Sequence, residues 1–209
     1  MIKAVLWDFG GVILSSPFDA FNDYEATHGL PTDFIRSVNT NNPDGNAWAL
    51  LERNDIEPTE FDTLFATESE ALGHRIPGAD ILALLSGSVR PEMVAALDAV
   101  IAAGYKTACL TNNVVSDDTG RTKRPDVAAV MSKFDEVVES SKVGVRKPEA
   151  RFYEIACELL DVEPVDCVFL DDLGINLKPA RAMGMATIKV GRPAPAIAEL
   201  SEILGIALA

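Results

Sequence analysis

The sequence predicts an α/β fold: a doubly wound, mostly parallel sheet with helices on both faces, interrupted near its start by a helical insertion. Three observations predict it. Beyond Arg90, apolar β-prone runs alternate with helix-patterned stretches, the signature of parallel strands joined by crossover helices. Three of the apolar runs end in polar groups, namely Asp8, Thr111 with Asn112, and Asp171 with Asp172. In open parallel sheets that carboxyl edge is where ligands bind. Between residues 17 and 87 the pattern is helical, with no strand candidate of comparable strength.

The elements follow in order. Lys3-Ala4-Val5-Leu6-Trp7 is a short, mostly apolar strand that hands over to Asp8, Phe9, Gly10 and Gly11. A carboxylate at such a junction is held rigidly and can be approached closely. In the insertion, residues 47–52 and 59–65 read as helices, with Thr59 a candidate cap, and residues 41–45 form a loop built on Asn, Pro, Asp and Gly. Residues 91–103 make a helix ended by Gly104. Strands over 105–110 and 134–138 come next, then a helix over 148–160 with Pro148 near its first position. A strand over 167–170, a helix over 177–183 closed by Gly184 and a strand over 185–190 complete the alternation. The basic segment 119–125 reads as a surface loop.

Composition excludes several classes. A chain of 209 residues fits one domain, or one domain with a small insertion, and can bury a substantial core. The net charge of −14 argues against nucleic acid as a partner, because a phosphate backbone needs a basic face. Much of the acidity lies between Ser16 and Arg90, where 13 Asp and Glu face 4 Arg and no Lys; a solvated helical surface accounts for it. No apolar stretch reaches membrane-span length, so no membrane association is expected, and Met1-Ile2-Lys3 runs straight into a strand without a signal-peptide layout. Cys109, Cys157 and Cys167 are odd in number and lack metal-ligand spacing, which fits buried thiols in a reducing cytoplasm. His28 and His74 both fall in the insertion with no partner motif around them.

Four segments carry the candidate chemistry in chain order: Asp8 with Phe9-Gly10-Gly11, Leu110-Thr111-Asn112-Asn113, Val145-Arg146-Lys147-Pro148, and Leu170-Asp171-Asp172 with Leu173-Gly174-Ile175-Asn176. A carboxylate can attack phosphorus and split hydrolysis into two steps. Adjacent carboxylates are hard to ionise together without a cation, which favours an oxygen-ligated metal such as Mg²⁺. The ordered set resembles motifs I to IV of the haloacid dehalogenase superfamily over nearly the whole chain, and the fourth segment with Pro179-Ala180-Arg181 resembles the subgroup containing the phosphatase domain of soluble epoxide hydrolases.

The resemblance implies a core of residues 1–15 and 89–209, and a helical type 1 cap over 16–88 that closes the sheet edge and selects the leaving group. It implies a hydrolase of phosphatase type, using Mg²⁺ and a small phosphorylated substrate. Asp8 would be the nucleophile. Lys147 would neutralise transferring charge and keep Asp8 ionised. Thr111 and the Asn112 backbone N–H would hold phosphoryl oxygens. Asp8, Asp172 and the Gly10 carbonyl would ligate the metal, with Asp171 a ligand through water or an orienting group.

One position departs from the family pattern. Where most phosphatases of the superfamily carry a second Asp, which protonates the leaving alkoxide and then activates water, this chain has Gly10. Such acid–base catalysis contributes about 10²–10⁴-fold. Three readings stay open: a phosphatase whose acid comes from elsewhere, such as Asp19, or whose leaving group needs none; a protein that binds a phosphorylated ligand or a partner without hydrolysis; and a 2-haloacid dehalogenase, whose halide leaves unprotonated.

Overall fold

The computed structural model describes residues 1–85, 87–113 and 124–208. The first strand, β1 (Ala4–Trp7), is buried along its whole length. It leads through Asp8 into one wide turn, Phe9–Ile13. The chain then leaves the sheet for five helices: α1 (Pro17–His28), α2 (Phe34–Thr40), α3 (Ala47–Glu52), α4 (Pro58–Ala71) and α5 (Gly78–Ala83). These helices enclose a core of their own, built on Phe21, Ile35, Leu51, Phe61, Phe65 and Ile81. The two connecting strands are zipped together. Leu14 and Val89 form an antiparallel bridge, the Ser15 N–H donates to the Ser88 carbonyl at 2.8 Å, and the Arg90 N–H donates to the Ile13 carbonyl at 2.9 Å.

The rest of the chain alternates, as the pattern predicts. In order come α6 (Pro91–Ala102), β2 (Lys106–Thr111), α7 (Pro125–Met131), β3 (Glu136–Glu139), α8 (Ser140–Val143), α9 (Ala150–Leu160), β4 (Cys167–Asp171), α10 (Gly174–Ala182), β5 (Ala186–Lys189) and α11 (Pro193–Leu204). The strands form one sheet in the order β3-β2-β1-β4-β5, and every neighbouring pair is parallel. Successive side chains of a strand point to opposite faces. Val5 and Trp7 therefore pack under Met93, Leu97 and Val100 of α6 and Leu200 of α11. Ala4 and Leu6 pack on the other face under Phe152 and Tyr153 of α9 and Leu177 of α10. The result is a doubly wound α/β sheet with a helical cap inserted after its first strand. Strand order reverses between β1 and β4, and the crevice outside such a switch point is where ligands bind in this architecture.

Element boundaries shift where proline or capping chemistry decides them. Thr59 does not cap α4; Glu57 holds that place and Pro58 opens the helix, because proline's missing N–H costs nothing in the first turn. Pro148, expected to open α9, lies ahead of it, and the helix starts at Ala150. The tenth helix starts at Gly174, three residues before its apolar face becomes visible in the sequence. Of the basic segment, residues 119–123 lie outside the described residues; Arg124 caps α7 in position and donates to the Gly87 carbonyl at 2.5 Å. Among the described residues, no helix is long and apolar enough to cross a membrane.

Candidate active site

Asp8 follows Trp7, which lies level with Cys109 of β2 and Leu170 of β4. The carboxyl ends of three adjacent strands therefore present Asp8, Thr111 and Asp171 side by side. The Asp8 N–H continues the ladder to the Leu170 carbonyl at 2.8 Å, and its Oδ1 accepts from the Phe9 N–H at 2.6 Å. Backbone pairing and side-chain bonding together fix this carboxylate.

Lys147 reaches the same point from the loop between α8 and α9. It is 1% exposed, and its Nζ lies 2.7 Å from Asp8 Oδ1 and 2.8 Å from Asp171 Oδ2. Burial works to lower the pKa of this ammonium, but Asp171 and Asp8 more than offset it and the net shift is upward. Lys147 is therefore a fixed cation. Its backbone is held as well: the Lys147 N–H donates to Asn112 Oδ1 at 2.9 Å, and Asn112 Nδ2 donates back to the Lys147 carbonyl at 3.0 Å.

Asp171 is fully buried and its oxygens are taken up. Beyond Lys147, it accepts from the Leu173 N–H at 2.8 Å and from Asn176 Nδ2 at 3.1 Å on each oxygen. Tyr153 OH anchors Asn176 in turn, donating to its carbonyl at 2.7 Å. Asp172 is only partly buried and faces the turn after β1. A Cβ on Gly11 would stand 2.2 Å from Asp172 Oδ2, and Gly11 has φ +76. Glycine at 11 is thus required twice, by the backbone and by the carboxylate pressed against it. Arg90 Nη1 donates to the Gly11 carbonyl at 2.8 Å and secures that turn.

Gly10 is different. Its φ of −70 and ψ of 131 suit any residue, and a Cβ there would meet nothing within 4 Å. The left-handed backbone of this turn falls on Gly11 instead.

Oxygens of Asp8, Asp171 and Asp172 lie within 4.8 Å of one another. Three carboxylates stand against one ammonium. Burial foremost, with repulsion from Asp171, pushes Asp172 up to about 6, and burial pushes Asp8 well above the usual carboxylate range despite Lys147. A site with three clustered carboxylates and hard oxygen donors on Asp8 and Asp172 suits a divalent cation such as Mg²⁺.

Thr111 ends β2, buried beside Asp8's strand, and Asn112 follows it. Asn113 points elsewhere, tying the Ser140–Val143 turn through Ser140, Ser141 and Glu139. Asp19 is exposed in the first turn of α1. His28 stacks on Tyr24 and His74 lies edge-on to Phe34, both within the cap. The three cysteines are free and buried. Sequence reasoning missed Gly11, Arg90, Glu52 and Arg146. The Gly-Gly pair was a signal for the first; the others touch the site only through folding.

Comparison with known proteins agrees with this geometry. Residues 2–184 match the family model described as haloacid dehalogenase-like hydrolase. The mouse protein named bifunctional epoxide hydrolase 2 is 32% identical over 98% of this chain and 39% of its own length. A phosphatase of Mycobacterium tuberculosis is 30% identical over 91% of this chain and 88% of its own. The chain spans less than half the length of the mammalian relatives that it matches. Among solved structures, an enzyme of the same family from Bacteroides thetaiotaomicron, in complex with magnesium and inorganic phosphate, covers 90% of this chain and 94% of its own, at 20% identity and a TM-score of 0.58, and so shares the fold.

Proposed function

The chain belongs to the haloacid dehalogenase-like hydrolases, and from that premise we propose that it is a Mg²⁺-dependent phosphatase. Its substrate is a small phosphorylated metabolite, and Asp8 is the nucleophile. The observation that carries this reading is the buried Asp8–Lys147–Asp171 chain, with Nζ at 2.7 and 2.8 Å from the two carboxylates, beside a third carboxylate, Asp172, within 4.8 Å. A mere ion pair would need no third carboxylate. We take residues 1–15 and 89–209 as the core and 16–88 as the cap.

In this mechanism an Asp8 carboxylate oxygen attacks phosphorus as the bond to the leaving oxygen breaks. An aspartyl phosphate forms and the leaving group departs with its electron pair. Water then attacks phosphorus, the acyl oxygen–phosphorus bond breaks, and inorganic phosphate and the Asp8 carboxylate are regenerated. Lys147, together with the bound cation, would keep Asp8 ionised, and it faces the transferring charge; Asp171 and Asn176 keep Lys147 in place. Thr111 Oγ1 and the Asn112 N–H hold phosphoryl oxygens. Asp8, Asp172 and the Gly10 carbonyl would hold Mg²⁺, which supplies charge neutralisation and orients the phosphate. The proton for the leaving oxygen does not come from residue 10. It is supplied by the medium or by a cap side chain, or it is dispensable for a good leaving group.

Gly10 itself favours a second reading, a cleft that binds a phosphorylated ligand without cleaving it. A phosphate-release assay over aryl, acyl and alkyl phosphates separates the two. The phosphatase predicts turnover with Mg²⁺ that is abolished by chelation and restored by readdition. Binding of a phosphate ester with no release from any class would leave the second reading standing. Turnover of a 2-haloacid that is indifferent to chelation would contradict both.

A further inference from the structure

The cap carboxylate Glu52 reaches the edge of the site. Glu52, the last residue of α3, is 16% exposed, and its Oε2 accepts from Asn112 Nδ2 at 3.1 Å. The same oxygen lies 2.6 Å from Arg146 Nε, a charge contact in which the N–H is not aimed along the line of approach. Burial foremost pushes the Glu52 carboxyl up, while Arg146 and Lys147 pull it down. Asn112 Nδ2 also donates to the Lys147 carbonyl. Arg146 Nη1 donates to the Pro43 carbonyl at 3.0 Å, and Arg53, next to Glu52, lies 3.9 Å from Glu149. Cap residues 43–53 therefore grip residues 146–149, and the grip is one bond away from the backbone of Lys147. It lies apart from the zipped connection through Ser15 and Ser88.

We propose that Glu52 is a positioning residue that couples cap closure to the placement of Lys147. With the cap seated, Glu52 fixes Asn112 and Arg146, and these hold the backbone on either side of the lysine's amide. With the cap lifted for substrate entry, the Asn112 amide loses its cap partner and the 146–149 loop loses its contacts with Pro43, Glu52 and Arg53. The cation that faces Asp8 keeps its core partners throughout and is held most tightly when the site is closed, a gating device of the kind lids provide. The catalytic consequence rests on the phosphatase reading; the structural coupling does not.

The test compares the wild type with Glu52→Gln and Glu52→Ala, using amide hydrogen exchange on the full chain alongside steady-state kinetics. Glutamine retains an oxygen for Asn112 but not the charge for Arg146. The proposal expects Glu52→Ala to lose protection roughly tenfold both in 43–53 and in the core loop 144–149, while β1 and β4 stay as protected as in the wild type. Glu52→Gln should recover protection at 144–149 more than at 43–46. In turnover, Glu52→Ala should lower kcat by about tenfold or more, with the Gln variant between. Loosening confined to the cap, with 144–149 unchanged, would overturn the coupling. If Glu52→Ala does not fold, the Gln variant decides alone: a loss at 144–149 that is measurable but smaller than at 43–46 supports the coupling, and no loss at 144–149 overturns it. Exchange reads the coupling even if no phosphate ester is turned over, so failure of the phosphatase reading would be seen separately.

Discussion

At the scale of single residues, the two glycines after Asp8 do different work. Gly11 resists replacement: its backbone is left-handed, and a Cβ would displace the Asp172 carboxylate. Gly11→Ala should cost about 1–3 kcal/mol, the usual range for a strained residue, and should weaken Mg²⁺ binding by displacing Asp172. Thermal unfolding with and without Mg²⁺ measures both. Gly10→Asp, by contrast, should fold with near wild-type stability, since its dihedrals are ordinary and the space is open. As a restored proton donor it should flatten the dependence of log kcat/KM on leaving-group pKa, which is expected to be steep in the wild type. A shallow wild-type slope where chemistry limits the rate would mean that an acid is already present, and Asp19 is the first residue to test. The doublet was visible in the sequence. Which glycine carried the conformational demand was not, because that depends on Asp172 arriving from another strand.

At the scale of elements, the cap and core are stabilised by separate apolar clusters. Phe61, on α4, is fully buried against Trp48 and Phe65. Phe61→Ala should cost about 3–5 kcal/mol, and hydrogen exchange should rise across 17–83 before it rises in β1 or β4. Equal loosening of both would mean that the cap has no local stability of its own. Most elements were legible because their periodicity is strong: β1, α3, α6 and β4 lie within a residue of the pattern. The misjudged ends were those where proline or a polar first turn hides the start. Pro58 opens α4 and Pro148 precedes α9, while the first turn of α10 carries Gly174 and Asn176 rather than an apolar face.

At the scale of the molecule, the sheet order β3-β2-β1-β4-β5 brings segments far apart in sequence to one switch point. Asp8, Lys147 and Asp172 could be singled out as residues because their types recur in a recognisable order. The resemblance already gave the metal to Asp172, but the order of residues could not reveal how Asp171 and Asp172 are each held. The first is enclosed by Lys147, Asn176 and a backbone N–H, the second turned toward Gly11. Nor could Glu52 be found, since 60 residues separate it from Asn112 and only the seated cap joins them. The central claim is that Asp8 is the attacking group. Phosphate release by Asp8→Asn, at saturating Mg²⁺ and with folding verified by circular dichroism, tests it most directly. Turnover should fall to background, because asparagine keeps the shape of the site and removes the attacking charge. Turnover near that of the wild type would contradict it.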